Sequence, residues 1–391
     1  MKKWLPLLVT VVLLTAGCTS NFGSEDKVVQ EKNNQKETAI IPNYQISDNY
    51  YRTILPYKPS KSRGLTVNNL NTRYDIQEFE TGLLRVAKTT YSPEKYLFQE
   101  GQILDADTLK MWLNRKFTPS QWKAVQKEVN PPSQNIGLNP PLSGKGSIDS
   151  QNQNSPIYLA NILEHDYLVK TDKNTVRLGG VVIGLALNST NSYQSQNGTT
   201  TQSSLSQAAI DSEGKSIAAE VVKRLRAMSE LKNVPITIAL FEQKDKDSVV
   251  PGNYFAYTNV PAGSSSIGSW NAIQNQYYLF PSSQADSDHP HDAGVFDKFK
   301  KRVENYFPNY NGVIGRAFYN GNKLTQLKAE IPLQFFGEAE VIGFTQYIAG
   351  IVPSIFPDTI DLQIKITAGG DIKALITRSP GQTDTSVHIY Q

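Results

Sequence analysis

Residues 360–377 read Ile-Asp-Leu-Gln-Ile-Lys-Ile-Thr-Ala-Gly-Gly-Asp-Ile-Lys-Ala-Leu-Ile-Thr. Two β-rich runs, 360–367 and 372–377, flank the turn Ala368-Gly369-Gly370-Asp371. Glycine pairs supply the left-handed backbone that tight hairpin turns require, and such flanking runs favour strands. We therefore expect an antiparallel hairpin, which argues against a doubly wound parallel sheet.

Helical and extended patterns alternate along the rest of the chain. Apolar residues at helical spacing predict helices over residues 75–88, 217–231, 295–306 and 338–352, and Asp105 is expected to cap a shorter one. Apolar runs predict strands over residues 175–187, 236–241 and 328–336, with a bulge at Gly179-Gly180. Because these elements interleave without steady βαβ spacing, we predict an α+β fold of mixed helices and mainly antiparallel sheet.

The N-terminus has the pattern of a secretory signal. Two lysines precede an apolar run over residues 5–14, which is shorter than the ~20 residues of a membrane-spanning helix. Ala16 and Gly17, directly before the single cysteine Cys18, resemble the lipobox of bacterial lipoproteins. This resemblance implies that lipoprotein diacylglyceryl transferase attaches diacylglycerol to Cys18 and that signal peptidase II cleaves between Gly17 and Cys18. Residues 1–17 are then the signal peptide, and the mature protein is anchored at the outer face of the cell membrane.

Charge and composition limit the partners of the mature chain. The 391 residues carry a formal net charge of +3, which falls to +1 when Lys2 and Lys3 leave with the signal peptide. No basic field remains for nucleic acid, so we do not expect nucleic-acid binding. Residues 18–60 are polar with little periodicity and predict a flexible tether. Roughly forty residues of this kind reach about 35 Å.

Recognisable catalytic motifs are lacking in the sequence. Residues 263–268 have the wrong spacing for a nucleophile elbow. The segments Ser92-Pro93-Glu94-Lys95 and Ser47-Asp48-Asn49 match two fragments of penicillin-binding chemistry, but their order is reversed and no Lys-Thr-Gly follows. We therefore expect neither enzymatic activity nor a cofactor.

One constellation has the residue types of a metal site. Its members are Asp286, Asp288, His289, His291 and Asp292. Imidazole and carboxylate groups bind zinc and related ions. However, Pro290 excludes a helical His-x-x-x-His pair, and no third histidine is near. A solvated acidic loop is the simpler interpretation, so we predict no metal site.

Two sequence blocks resemble a known family. Residues 73–85 read Arg-Tyr-Asp-Ile-Gln-Glu-Phe-Glu-Thr-Gly-Leu-Leu-Arg, and residues 96–102 read Tyr-Leu-Phe-Gln-Glu-Gly-Gln. Together with the lipobox, Arg63-Gly64 and the segment Phe335-Phe336-Gly337-Glu338-Ala339, they resemble the CamS family of Gram-positive lipoproteins, described as precursors of cAM373-type sex pheromones.

The resemblance implies a domain plan and a second product. The plan is two tandem repeats, which we place at residues 61–187 and 208–391, joined by a polar linker or loop over residues 188–207. The second product is a short apolar peptide trimmed from the signal, with the sequence Val11-Val12-Leu13-Leu14-Thr15-Ala16-Gly17. Such a peptide is suited to filling an apolar pocket in a receptor and acting as a pheromone.

The folded part of the mature protein needs a role of its own. We expect a non-enzymatic binding or scaffold module, with wall polysaccharide as one ligand class. Five aromatic residues are candidates for stacking on sugars, although core packing is the usual role of such rings: Trp112, Trp122, Trp270, Tyr277 and Tyr278. The alternatives are a cell-wall-associated enzyme or carbohydrate-binding protein with an unrecognised site, and a docking surface for a partner protein.

Overall fold

The computed structural model of the chain describes residues 26–32, 35–47, 49–128, 130–171, 173–306, 312–334 and 337–390. Cys18, Gly17 and the rest of the predicted peptide lie outside these residues. Within the described ranges, no helix combines the length and the apolar character needed to cross a membrane.

The helices and strands fall into two groups along the chain. The first group comprises β1 (Asp26–Lys32), β2 (Gln35–Ile41), α1 (Leu65–Asn69), α2 (Arg73–Ala87), β3 (Tyr96–Glu100), α3 (Ala106–Leu113), α4 (Pro119–Val125), α5 (Ile148–Asn154), β4 (Leu159–Lys170), β5 (Thr175–Asn188), β6 (Thr190–Gln194), β7 (Thr200–Ser204), α6 (Gln207–Ala227), β8 (Ile236–Gln243), β9 (Asn253–Val260) and β10 (Asn271–Ala272). The second comprises β11 (Asn275–Phe280), α7 (Ser283–Asp288), α8 (Pro290–Tyr306), β12 (Ile314–Asn320), β13 (Lys323–Leu333), α9 (Glu338–Ile355), β14 (Asp361–Ala368), β15 (Asp371–Arg378) and β16 (Ser386–Ile389).

Two main sheets contain most of these strands. The first sheet has the order β10-β9-β8-β5-β1-β2, and β4 pairs with both β5 and β3. The second sheet has the order β11-β12-β13-β14-β15-β16. Parallel pairing joins β1 to β5, β5 to β8 and β13 to β14, whereas most other neighbours are antiparallel. The predicted α+β fold with mainly antiparallel sheet is confirmed.

Three local predictions are also confirmed. Strands β14 and β15 form the expected hairpin, and Gly369 and Gly370 have positive φ angles of 61° and 93°. A bulge interrupts the pairing of β4 with β5, where Tyr167 lies opposite Gly180 but Leu168 lies opposite Leu178. The Asp105 side chain caps α3 by accepting a hydrogen bond from the backbone N–H of Thr108 at 2.8 Å.

Strand β5 lies between two helical layers of the first sheet. Val181 and Ile183 belong to the core cluster that includes the apolar face of α6. Val182 and Ala186 belong to the cluster on the other face, which includes α2. Because both faces of β5 are buried, its sequence is a nearly continuous apolar run rather than an alternating one.

Helices α8 and α9 cover one face of the second sheet. Leu327 of β13 and Ile364 of β14 are fully buried in the cluster that includes α8 and α9. Because successive side chains of a strand point to opposite faces, Lys328 and Gln363 project from the other side of the sheet. We call this second side the open face, and it lies opposite α2.

Close packing fixes α2 on the first sheet. The Tyr254 hydroxyl donates a 2.7 Å hydrogen bond to the Phe79 carbonyl of α2. Two glycines make room for the Tyr254 ring: a Cβ on Gly82 would lie 2.8 Å from it, and a Cβ on Gly184 would lie 2.6 Å from its hydroxyl. The helix therefore approaches the sheet more closely than larger residues would allow.

The predicted tether over residues 18–60 is wrong for its described part. Strands β1 and β2 form an antiparallel hairpin, and β1 also pairs with β5. Val28, Ala39 and Ile41 are buried in a small core with Leu97 and other residues. The average composition of the segment is polar, but Val28, Ala39 and Ile41 lie on one face of the hairpin, and that face packs into the core.

The predicted linker over residues 188–207 does not separate two folded units. Strand β5 precedes it and β8 follows it, yet the two are paired in parallel from Val181–Ile236 to Asn188–Gln243. The segment itself forms the β6–β7 hairpin. The change from one sheet to the other comes instead between Ala272 and Asn275. The predicted tandem repeats at 61–187 and 208–391 are not confirmed, because the two sheets differ in strand order and both sides of the predicted junction share one sheet.

We predict that Gly184→Ala lowers the free energy of unfolding by about 1–3 kcal/mol, because the added methyl displaces Tyr254 from its contact with α2. Chemical denaturation of the purified chain measures this change. Gly350→Ala is the matched control, since no atom lies within 4 Å of a Cβ at this position in α9. That substitution should be neutral or stabilising by up to about 1 kcal/mol. Equal stability of the two variants would contradict the packing argument.

Candidate functional site

A long cleft lies between α2 and the open face of the second sheet. It contains two cavities of about 540 and 610 Å³. Tyr74, Gln77, Arg316 and Lys328 line both cavities, so the two are continuous. We call this space the interdomain cleft.

One wall of the cleft is the polar face of α2. The residues that line it recur every three or four positions, as expected for one side of a helix: Tyr74, Gln77, Glu78, Thr81, Leu84, Arg85 and Lys88. The opposite side of the same helix buries Phe79 and Leu83 against the first sheet. Helix α2 thus joins the hydrophobic core to the cleft.

The other wall comes from β11, β12, β13 and β14. Arg316, Gln326 and Lys328 project from neighbouring strands of the open face, and Tyr277 of β11 lies beside them. The Tyr277 ring packs on Phe318, with 4.7 Å between ring centroids. This wall therefore combines aromatic rings with positive charge.

Glu78 is the central contact between the two walls. It is buried, with 4% of its surface exposed. Its carboxylate pairs with the Arg85 guanidinium and accepts a 2.6 Å hydrogen bond from the Tyr277 hydroxyl. Burial raises the pKa of Glu78, while Arg85 and the Tyr277 hydrogen bond oppose that rise. The pKa of Tyr277 is raised by burial and by the neighbouring Glu78.

Two arginines are held on aromatic rings along the cleft. The Arg316 guanidinium carbon lies 3.9 Å from the centroid of Tyr74, and that of Arg85 lies 4.7 Å from the centroid of Phe318. The Nε atoms of both arginines are buried and have no hydrogen-bond partner among the described residues. Buried donors of this kind normally find an acceptor, so both arginine side chains, which line the cleft, are incompletely hydrogen-bonded.

Positive charge is not balanced within the cleft. Arg85, Lys88, Arg316, Lys328 and Lys365 line the two cavities, against the three carboxylates of Glu78, Glu330 and Asp361. Burial lowers the pKa of Lys328; Asp361 and Glu78 oppose this shift, and Arg316 and Lys365 add to it. Burial and then Arg85 lower the pKa of Lys88. The cleft is therefore suited to an anionic ligand.

The five predicted sugar-stacking residues have different locations. Of these, only Tyr277 lines the cleft. Trp112 and Tyr278 are buried core residues. Trp122 packs on Phe117, and Trp270 lies 5.9 Å from the Lys215 ammonium. The simpler interpretation, core or local packing, accordingly describes most of this set.

The prediction of an acidic loop over residues 286–292 is wrong, because residues of this segment belong to two helices. Asp286 and Asp288 belong to α7, and His291 and Asp292 belong to α8, which begins at Pro290. Proline is accepted in the first turn of a helix because its missing N–H would have no partner there.

The side chains of this segment bind tyrosines rather than one another. Tyr278 donates to Asp288 at 3.1 Å and Tyr319 donates to Asp292 at 2.8 Å. His289 stacks on Tyr319 with 3.7 Å between centroids. No group of three or more His, Cys, Asp and Glu side chains arranged to hold a metal ion is found within the described parts of the chain.

Most residues of the cleft could not be identified from the sequence. The wall residues of α2 were readable as the polar face of a predicted helix, but a polar face is usually only solvated. The cations of the open face occupy alternate positions of predicted strands and have no local signature. Long-range contacts reveal that the two walls meet, among them the hydrogen bond between Glu78 and Tyr277, which are 199 residues apart in the chain.

Comparisons with known proteins identify similar chains. Residues 57–384 match the family model described as CamS sex pheromone cAM373 precursor. The chain is similar to a sex pheromone precursor from Lactobacillus salivarius subsp. salivarius UCC118, with 32% identity and a TM-score of 0.79 over 90% of this chain and 99% of that one. It is also similar to the C-terminal domain of sex pheromone staph-cAM373 precursor from Staphylococcus aureus, with 31% identity and a TM-score of 0.71 over 83% of this chain and 98% of that one. Among curated proteins none matches.

We predict that Tyr277→Phe lowers the free energy of unfolding by about 1.5–3 kcal/mol, because it removes a hydrogen bond to a buried carboxylate. Denaturant titration of the purified chain measures the change. Tyr44→Phe is the control, since Tyr44 is 81% exposed and its hydroxyl is solvated. Unchanged stability of the Tyr277 variant would show that Glu78 does not depend on the second sheet.

Proposed function

The chain belongs to the CamS family of sex pheromone cAM373 precursors, and on this premise we propose that it is a lipid-anchored precursor with a folded binding module. The module holds an anionic ligand of the cell envelope in the interdomain cleft. The released signal peptide is the second product of the same chain.

The anchoring part of the proposal is supported by the sequence around Cys18. Small residues precede this single cysteine, and a short apolar run precedes them. Two acyl chains on one cysteine give durable attachment, whereas a single chain gives only marginal binding. Cleavage after Gly17 would release the apolar segment from which the peptide Val11–Gly17 is trimmed.

The binding part of the proposal depends above all on one observation. Arg85 and Arg316 line the same cleft, and the Nε–H of each is buried without a partner among the described residues. Guanidinium groups bind carboxylates and phosphates through paired N–H donors, so an anionic ligand would satisfy both. Their stacking on Phe318 and Tyr74 holds the donors in place before the ligand arrives.

The same arrangement favours binding over catalysis. Of the His and Asp residues that offered a catalytic alternative, Asp288, His289 and Asp292 contact Tyr278 or Tyr319, and the set does not line the cleft. The cleft residues are cations and rings that hold a ligand, and its most deeply buried acid, Glu78, is engaged by Arg85 and Tyr277. We therefore propose a non-enzymatic module at the outer face of the membrane.

Replacing Cys18 by Ala should abolish lipid attachment and leave the precursor uncleaved, because the acyl acceptor is gone. Incorporation of labelled palmitate measures the first effect, and mass spectrometry of the medium for peptides ending at Gly17 measures the second. Ser24→Ala is the control and should behave as the parent. Palmitate still entering the Cys18 variant would refute the assignment.

The double variant Arg316→Gln, Lys328→Gln should lose most of its cosedimentation with isolated Gram-positive cell walls, because two cations of the cleft are removed. The matched control is Lys298→Gln, Lys301→Gln, which removes the same charge from α8 on the covered side of the second sheet. Thermal unfolding followed by circular dichroism checks that both variants fold. Equal sedimentation of the two would refute the proposed role of the cleft.

A further inference from the structure

The interdomain cleft is longer than a single anionic group requires. Its second cavity adds Glu330, Lys365 and the apolar residues Val249, Leu279 and Ile314 to the shared lining. We propose that the ligand is an extended polyanion that crosses strands β12, β13 and β14 and presents successive oxyanion groups to Arg316, Lys328 and Lys365. This inference rests on the proposed function and specifies its ligand class.

The register of the strands places these cations in a row. Arg316 of β12 lies directly opposite Lys328 of β13. Lys365 lies on β14, the next strand, where its partner on β13 is Glu330, two residues beyond Lys328. With neighbouring strands about 4.8 Å apart, the row extends roughly 10 Å across the sheet.

Such a row is unfavourable without a ligand. Like charges directly opposite each other on neighbouring strands destabilise a sheet. Within the described residues, neither Lys328 nor Lys365 has a carboxylate partner within ion-pair distance, although Glu330 and Asp361 are near. Asp361 accepts a 2.6 Å hydrogen bond from Gln326, and Glu330 accepts one from Thr367 at 3.3 Å. A chain of negative groups would neutralise the row.

Three aromatic rings beside the cations of the cleft point to charge, rather than ring stacking, as the property recognised there. The face of Tyr74 is occupied by the Arg316 guanidinium, and Tyr277 packs on Phe318, which in turn carries Arg85. These rings are therefore engaged with the protein's own side chains and position its cations. A ligand gains most by offering oxygen acceptors to those cations.

A compact anion would use only part of the site. One phosphate or carboxylate at Arg85 and Arg316 fills a corner of the first cavity and makes no contact with Lys365 in the second. A linear polyanion engages both cavities at once, and each added contact with the row lowers the free energy of binding. Affinity should therefore increase with chain length until the row is covered.

Isothermal titration of the full chain carrying Cys18→Ala, with inorganic phosphates of increasing length, tests the inference. At equal phosphate concentration, we expect long-chain polyphosphate to bind at least about tenfold more tightly than orthophosphate. Lys365→Gln should weaken polyphosphate binding about tenfold or more, a larger loss than for orthophosphate. Lys301→Gln, on the covered side of the sheet, should change neither. Polygalacturonate fragments of matched length distinguish carboxylate from phosphate groups, and a length-dependent gain with either polymer supports the inference.

Affinity that is independent of length at equal phosphate concentration would overturn the inference, and so would a Lys365 variant that binds polyphosphate as the parent does. These results are separable from failure of the proposed function. If cosedimentation with cell walls is lost in the Arg316, Lys328 variant but no polymer shows length dependence, the cleft binds an anionic ligand that is compact. If wall binding survives in that variant, the proposed function itself fails.

Discussion

The hydrogen bond from the Tyr254 hydroxyl to the Phe79 carbonyl holds α2 against the first sheet, and the geometry of the cleft depends on that position. Gly82 and Gly184 allow the close approach. With one side of the helix fixed in the core, its opposite side extends Glu78 toward the second sheet. A helix of three or four turns thus has an apolar side that supports the fold and a polar side that supports the site.

The charges at this interface differ in how completely the protein satisfies them. Glu78 is buried, and a buried charge is tolerated only when it is paired and hydrogen-bonded. Arg85 and Tyr277 meet that requirement from two different parts of the chain. The cations of the open face are compensated less completely, since Arg316 and Lys328 lie opposite each other and Asp361 and Glu78 only partly offset the effect on Lys328. The contacts of Glu78 join the two walls of the cleft, whereas the cations of the open face remain able to bind an anionic ligand.

Local features of the sequence predicted much of the fold and little of the site. The hairpin around Gly369-Gly370 and the apolar side of α2 depend on neighbours within a few positions, so both were predictable. The β1–β2 hairpin was not, because its burial depends on Leu97 and Leu168 far along the chain. The junction predicted at residues 188–207 failed for a related reason: parallel pairing of β5 with β8 is a long-range property. Predicting the cleft requires knowing which two surfaces meet, and neither secondary-structure propensity nor hydrophobic periodicity carries that information.

The β1–β2 hairpin also limits the distance between the proposed lipid anchor and the folded part of the protein. Because β1 begins at Asp26, the eight residue steps from Cys18 to this strand can span at most about 28 Å. With the proposed anchor, the body is confined to a thin layer above the lipid headgroups and diffuses in two dimensions with the bilayer. Polymers that pass through this layer can contact the cleft, whereas polymers confined to the outer wall lie too far from the membrane to reach it.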